Sequence, residues 1–258
     1  MTAAATEIGG GGRAPRLAII VPYRDRAAHL ARFLPHMVHY FTAGPAAAIA
    51  CAIHVVEQSG TETFNKARLV NAGFLLAREA ADYVCLHDVD YLPIRADYSF
   101  TPRPTLLISE GFREARERRG VDAGYFFGAV VALATAHFEQ ANGFNNNYWG
   151  WGFQDADFGV RCRAEGLTPD HREGVFEALD HASRQHDGAG RLLPEARANA
   201  RAFQARVRAI REDGAHRRIG LSTLRFALRA SRRLDVDPSG RVPVHHHLVD
   251  IGRPPKPP

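Results

Sequence analysis

Asp82-Tyr83-Val84-Cys85-Leu86-His87-Asp88-Val89-Asp90 is the stretch on which the fold turns. Tyr83 to Leu86 form a continuous apolar run, the pattern of a strand covered on both faces. The run stops at two carboxylates flanking one apolar residue. Upstream, Leu17-Ala18-Ile19-Ile20-Val21-Pro22 and Ala50 to Val56 read as two more strands of the same kind. Between them Leu30, Phe33, Leu34, Met37 and Val38 recur at three- and four-residue spacing, which predicts an amphipathic helix. Lys66 to Ala80 carries Leu69, Ala72, Gly73 and Leu76 on a similar period. Strand, helix, strand, helix, strand predicts an α/β fold with a parallel sheet and right-handed crossovers. Ligands of such sheets bind at the carboxyl ends of the strands. The turn Pro22-Tyr23-Arg24-Asp25-Arg26 and the triplet Asp88-Val89-Asp90 both fall there.

The second half is less regular. Phe126 to Leu133 reads as a strand, and Thr135 as the cap of a short helix through Gln140. Residues 142–154, rich in Asn, Gly and aromatics, read as an irregular loop. Asp155 to Glu165 reads as a helix stopped by Gly166. Residues 182–191 are polar and Gly-containing, a mobile loop in sequence terms. Pro194 to Glu212 forms an Arg/Ala-rich amphipathic pattern, and strand-like runs near Leu224–Leu228 and Val242–Ile251 close the chain. The expectation is one domain over residues 16–252, between a disordered tail at 1–15 and a frayed one at 253–258.

Composition sets outer bounds. The 258 residues are 45% hydrophobic and 24% charged, ordinary for a soluble globular protein. The net charge is +5, and Lys66 and Lys256 are the only lysines among 33 basic residues. Most arginines read as solvated surface; a few near the motifs suit an anionic ligand such as a nucleotide diphosphate. Basic runs interleaved with stacking aromatics are absent, so nucleic acid is not an expected partner. Cys51, Cys85 and Cys162 lie far apart, a pattern for buried thiols in a reducing compartment rather than a disulfide framework. With neither an apolar leader core nor a stretch long enough to span a membrane, the expected location is the cytoplasm.

Asp88 and Asp90 place two hard oxygen ligands on one side of a strand end, a donor type that suits Mg²⁺ or Mn²⁺ bridging nucleotide phosphates. The plain alternative is a pair of solvated loop acids. His181 and His186 stand in a polar segment able to wrap over the site, and imidazole suits Mn²⁺; surface histidines are the alternative. His245-His246-His247 cannot all serve one metal, because consecutive strand residues face opposite ways, and the triplet reads as structural. Gly143-Phe144-Asn145-Asn146-Asn147-Tyr148-Trp149-Gly150-Trp151-Gly152-Phe153-Gln154-Asp155 holds both tryptophans, each flanked by glycine. Aromatic faces stack on sugar C–H faces, which marks Tyr148 and Trp149 for an acceptor surface, and Gly152 lets the backbone approach a ligand there. Asp155, at a helix start, is kept ionised by the macrodipole and can accept a proton. It also reads as a plain helix cap beside an aromatic cluster.

Assembled, these motifs resemble the β-1,4-galactosyltransferase family (glycosyltransferase family 7), most closely its xylosylprotein branch. The resemblance runs from about Ile19 to Ile251. It rests on Val21–Arg26, Phe64-Asn65-Lys66-Ala67-Arg68-Leu69-Val70-Asn71-Ala72-Gly73-Phe74, His87–Asp90 and Asn142–Asp155. It implies a GT-A type fold, a Rossmann-like mixed sheet flanked by helices, with residues 16–100 as the nucleotide-binding half and 101–252 as the acceptor half. It also implies a UDP-sugar donor, a glycan, glycoside or glycolipid acceptor, Mn²⁺ or Mg²⁺, and inversion at the anomeric carbon. Pro22, Arg24, Arg26, Phe64 and Lys66 then line the donor site, Asp88 supports the donor, and Trp151 closes over it. Asp90 holds the metal, and Asp155 is the base. His186 falls at the second histidine of the branch's metal segment, with Arg184 at the first; His181 falls near a sulfur ligand of other members. Phe126 stands where the family has a donor-pocket tyrosine, and Gln154-Asp155-Ala156 where it has Glu-Asp-Asp, which adds Gln154 to the acceptor surface. Both departures bear on which sugars are used. The family's animal members carry a membrane anchor, whereas this chain reads as a bacterial type without one. A non-catalytic nucleotide-sugar or glycan-binding module is the alternative, and a metal-dependent phosphohydrolase a third reading that leaves the Trp-Gly loop without a purpose.

Overall fold

The computed structural model describes residues 13–108, 127–180, 191 and 193–254. Strands β1 (Leu17–Tyr23), β2 (Cys51–Gln58) and β3 (Tyr83–His87) alternate with helices α1 (Ala27–Thr42) and α2 (Lys66–Ala77). The sequence patterns named all five, and α2 runs into a single 3₁₀ turn at Arg78–Ala80. The rest comprises β4 (Tyr91–Arg95), β5 (Thr105–Leu106), β6 (Val130–Ala134), α3 (Thr135–Gln140), α4 (Gln154–Ala164), β7 (Asp170–His171), β8 (Val175–Ala178), α5 (Pro194–Asp213), β9 (Ala227–Leu234) and β10 (Val244–Asp250).

One eight-stranded sheet runs β7-β5-β6-β3-β1-β2-β10-β9, and β4 pairs with β8 in a separate ribbon. β3, β1, β2 and β10 are parallel, while β6 and β9 run antiparallel to their neighbours, so the sheet is mixed. Strand β6 pairs with β3 and β10 with β2, so one sheet takes strands from both halves of the chain.

The period of two in β1 divides the core. Leu17, Ile19 and Val21 pack with Phe33, Met37 and Phe41 of α1; Ala18 and Ile20 pack with Leu69, Val70 and Phe74 of α2 on the other face. Two layers of helix over a sheet buried on both sides account for the unbroken apolar runs in β1 and β3.

Two expected boundaries move. The strand expected from Phe126 begins at Val130, because residues 127–129 bend away and Ala129 holds φ 63; Phe126 itself lies outside the described residues. The strand expected at Leu224–Leu228 is Ala227–Leu234, an exposed edge strand whose arginines hide it from hydropathy. The loop expected at 182–191 lies largely outside the described residues. Among the described residues no helix is long and apolar enough to cross a membrane.

Candidate active site

The carboxyl ends of β1 and β3, the start of α2 and the start of α4 converge on a small cavity. Pro22, Lys66, His87, Asp88, Gly128 and Asp155 line it, with apolar side chains behind them. Lys66 is the first residue of α2, whose N-cap Asn65 accepts the backbone N–H of Arg68 at 2.9 Å. Its Nζ stands 2.8 Å from Asp88 Oδ1 and 3.1 Å from Asp155 Oδ1, so two carboxylates from different elements share one ammonium. Burial alone would lower the lysine pKa, but the charges of Asp155 and Asp88 outweigh it and hold the ammonium above its ordinary value. His87 is buried, its Nδ1 2.9 Å from the Asp88 carbonyl and Nε2 2.9 Å from the Tyr98 hydroxyl. Burial lowers its pKa to about 4, so it is neutral near pH 7.

Beside this cluster, Arg26 Nη1 donates to Asp90 Oδ2 at 3.0 Å. Arg24 donates to the Glu62 carbonyl and lies 5.5 Å over the Phe64 ring. The structure thus gathers Pro22, Arg24, Arg26, Phe64, Lys66, Asp88, Asp90 and Asp155 at one edge of the sheet. Asp90 offers a carboxylate of the hard type that Mg²⁺ and Mn²⁺ take. Among the described residues no group of three or more His, Cys, Asp or Glu side chains is set to hold a metal ion. His181 and His186 lie outside the described residues, but the chain leading to them is placed: β8 pairs with β4, and the Leu179 N–H donates to the Asp90 carbonyl at 2.7 Å.

The Trp-Gly loop is a bent strap. Gly150 (φ 76), Gly152 (φ 105) and Phe153 (φ 68) are all left-handed, and the last bend delivers Asp155 into the first turn of α4. Two glycines meet that demand without strain, whereas Phe153 stores some. Trp151 is half-buried and Gly152 buried at this bend, and among the described residues nothing lies within 4 Å of a Cβ built on Gly152. Tyr148 and Trp149, expected on an acceptor surface, are instead buried. The Tyr148 hydroxyl donates to Asp157 at 3.0 Å, and the Trp149 ring packs in the core 5.2 Å beneath Arg68, so their faces are occupied. Gln154 is also buried, and its Oε1 finds no partner among the described residues.

Sequence reasoning missed what holds the strap. Asn71 exchanges two hydrogen bonds with the Phe144 backbone (2.8 Å each) and donates to Asn146 Oδ1 at 2.9 Å. Asn65 donates to the Asn146 carbonyl at 3.0 Å, and Asn199 of α5 to the carbonyls of Trp149 and Trp151 at 3.0 and 3.1 Å. Inside α4, Asp157 and Arg161 form a fully buried ion pair that also binds the Gly143 and Ile219 carbonyls. Gly128 was missed too: a Cβ there would lie within 2.6 Å of the Asp155 Cβ and closer still to its carboxyl carbon.

Residues 13–101 match the N-terminal region of glycosyl transferase group 7, and residues 116–185 a second region described as the N-terminal domain of galactosyltransferase. The chain belongs to glycosyl transferase group 7. A β-1,4-galactosyltransferase 7 of Drosophila melanogaster is 35% identical over 157 residues, covering 61% of this chain and 48% of the relative. That of Homo sapiens is 30% identical over 224 residues, covering 86% and 64%. The chain therefore spans about half to two-thirds of the length of these relatives. Among solved structures, the catalytic domain of the Drosophila β1,4-galactosyltransferase 7 in complex with xylobiose superposes with a TM-score of 0.68 at 25% identity, covering 92% of this chain and 94% of that one. The fold of this group 7 member is the GT-A type, as its mixed sheet and flanking helices imply.

Proposed function

We propose that the protein is an inverting, metal-dependent hexosyltransferase, moving a hexose, with galactose the leading candidate, from a UDP-sugar to a hydroxyl of an acceptor sugar. The observation that carries the reading is the placement of Asp155: a carboxylate in the first turn of α4, sharing Lys66 with Asp88 at the end of β3. Similarity to enzymes named β-1,4-galactosyltransferase supports hexosyl transfer. A mutant of the Drosophila β1,4-galactosyltransferase 7 has been solved with manganese, UDP-Gal and xylobiose, which favours a UDP-galactose donor, Mn²⁺ and a sugar acceptor here.

In this reading residues 16–100 supply the donor half. Arg24 and Arg26 bring positive charge to the diphosphate, Pro22 and Phe64 bring apolar surface to the uridine, and Asp88 steadies the sugar. Asp90, with His181 and His186, would hold Mn²⁺ or Mg²⁺. The ion supplies positive charge against the diphosphate leaving group when bound. Trp151 and Gly152, at the bend of the strap, flank the donor and acceptor sugars and exclude water. Asp155 accepts the proton of the acceptor hydroxyl as that oxygen bonds to the anomeric carbon. The bond from that carbon to the UDP oxygen breaks on the opposite face, which gives inversion. The buried Gln154 amide borders the acceptor, and the family resemblance assigns Phe126 to the donor pocket. The three cysteines are buried free thiols, chemistry that suits the cytoplasm.

A non-catalytic nucleotide-sugar or glycan-binding module is the second reading, favoured by the neutral Gln154 and Ala156 either side of Asp155. UDP release measured with pooled acceptors separates the two, since a binding module turns nothing over. In the transferase, Asp155→Asn keeps donor binding but slows transfer about 10³-fold, and Asp90→Asn loses Mn²⁺-dependent donor binding. Full transfer by either variant overturns the assigned roles.

A further inference from the structure

We infer that Lys66 is a positioning residue for the base: its ammonium, shared between Asp88 and Asp155, holds Asp155 ionised and ties it to the donor side of the site. The inference rests on Asp155 being the base. Lys66 Nζ lies 3.0 Å from Asp88 Oδ2 and 3.3 Å from Asp155 Oδ2, besides the shorter contacts to the two Oδ1 atoms. An ammonium has three hydrogens, enough to serve both carboxylates at once.

Three observations set this lysine apart from an incidental ion pair. It stands at the first position of α2, where the macrodipole opposes a cation, so the helix gains nothing from it. Lys66 and Lys256 are the only lysines among 33 basic residues, so a compact point charge stands here in a chain that elsewhere uses arginine. A point charge can meet two carboxylates from different directions, which the planar guanidinium fork does less readily. Finally, the lysine side chain is only 13% exposed and that of Asp155 17%, so solvent screens the pair weakly.

The electrostatic consequence follows from counting charges. Among the described residues, Lys66, His87, Asp88 and Asp155 are the titratable residues lining the cavity, and His87 is neutral. Without the ammonium, the Asp88 carboxylate would face Asp155 across one small cavity with no cation between them, which favours a proton on Asp155. A protonated Asp155 cannot accept the proton of an acceptor hydroxyl. Gly128 leaves room for the carboxylate at its backbone, and Lys66 anchors it.

The test uses the full chain with ¹³Cγ-labelled aspartate, the Asp155 resonance being assigned by its loss in Asp155→Asn. In the unsubstituted protein its midpoint lies below the ordinary aspartate value. Lys66→Gln raises that midpoint by about 1 pH unit or more, and Lys66→Arg, which keeps the charge, brings it back toward the original. The acid limb of the kcat/KM profile for acceptor moves the same way, an effect that loss of donor affinity alone does not produce. An Asp155 midpoint unchanged in Lys66→Gln overturns the inference. So does a midpoint at or above the ordinary value in the unsubstituted protein, which needs no variant to fold. The NMR titration requires no turnover, so its failure is distinct from failure of the transferase reading, which full activity in Asp155→Asn would reveal.

Discussion

Gly128 leaves the Asp155 carboxylate room that no side chain could share, because a Cβ would overlap the carboxyl group from Cβ to Oδ2. Neither group yields easily: Asp155 is fixed at the start of a helix, and Gly128 precedes Ala129, which is itself left-handed at φ 63. Gly128→Ala therefore displaces the carboxylate by a fraction of an ångström to an ångström. A shift of that size costs about 10²-fold in rate when a reacting group is misplaced. The expected outcome is a kcat lowered about 10²-fold in UDP-release assays, with the far-UV circular dichroism spectrum retained. Unchanged kcat would show that Asp155, the proposed base, has room to move. Left-handed non-glycine residues cluster here, with Asp25 (φ 53) on the β1 turn and Phe153 (φ 68) before α4 joining Ala129. Strain held at three arms of one site is what a preorganised constellation requires.

At the scale of elements, β2, β9 and β10 build a second cluster away from the site. His54 Nδ1 lies 3.1 Å from His247 Nε2, its ring stacks on His245, and His247 Nδ1 meets the Ser231 hydroxyl at 3.0 Å. His246 turns to the opposite face and contacts Glu57 at 2.7 Å, the alternation expected of a strand. Burial, then the neighbouring imidazoles, lower His54 to about 3 and His247 to about 4. Both folded values lie below the unfolded value near 6.5, so the unfolded chain binds more protons as pH falls. Their stabilisation is whole above about pH 6.5 and is lost as pH drops toward 4. Each imidazole should cost about 2 kcal/mol between pH 7 and 5. Urea unfolding across that range checks this: His247→Gln should flatten the decline by about that amount, and an unaltered slope rules the account out. The same elements show what hydropathy can read. β1 and β3 are continuous apolar runs and β2 an apolar run broken by His54, and their order with α1 and α2 was legible because each helix has its own period. β9, Ala-Leu-Arg-Ala-Ser-Arg-Arg-Leu, is exposed on an edge and shows no period of two. Nor could the sequence reveal Asn71 gripping Phe144, or Asp157 paired with Arg161. Such side chains are buried only because their partners lie across the fold. The candidate site was legible as residue types, but its pairing, Lys66 between Asp88 and Asp155, arises only where α2 meets α4.

The whole molecule explains why donor and metal should stabilise it as a unit. Asp90 stands past the end of β3 in the N-terminal half, and Asp155 on α4 in the C-terminal half, joined by a sheet that takes strands from both. Arg26 now offsets the Asp90 carboxylate at 3.0 Å, and Lys66 offsets Asp88 and Asp155. In the proposed function, a ligand carrying phosphates and a divalent cation brings charges of both signs to these residues, and it should bind only when both halves are folded. By mass action, ligand at about 100 times its Kd adds about 2.7 kcal/mol, or roughly 5 °C or more in Tm for a domain of this size. Calorimetric melts with Mn²⁺ alone, UDP alone and both together should show the increment chiefly when both are present. Asp90→Asn should lose the metal-dependent part, measured from its own ligand-free Tm, which falls because Arg26 loses its charged partner. A UDP increment that is the same with and without Mn²⁺ would remove Asp90 from the metal role, and no increment with any UDP-sugar would remove the donor site itself.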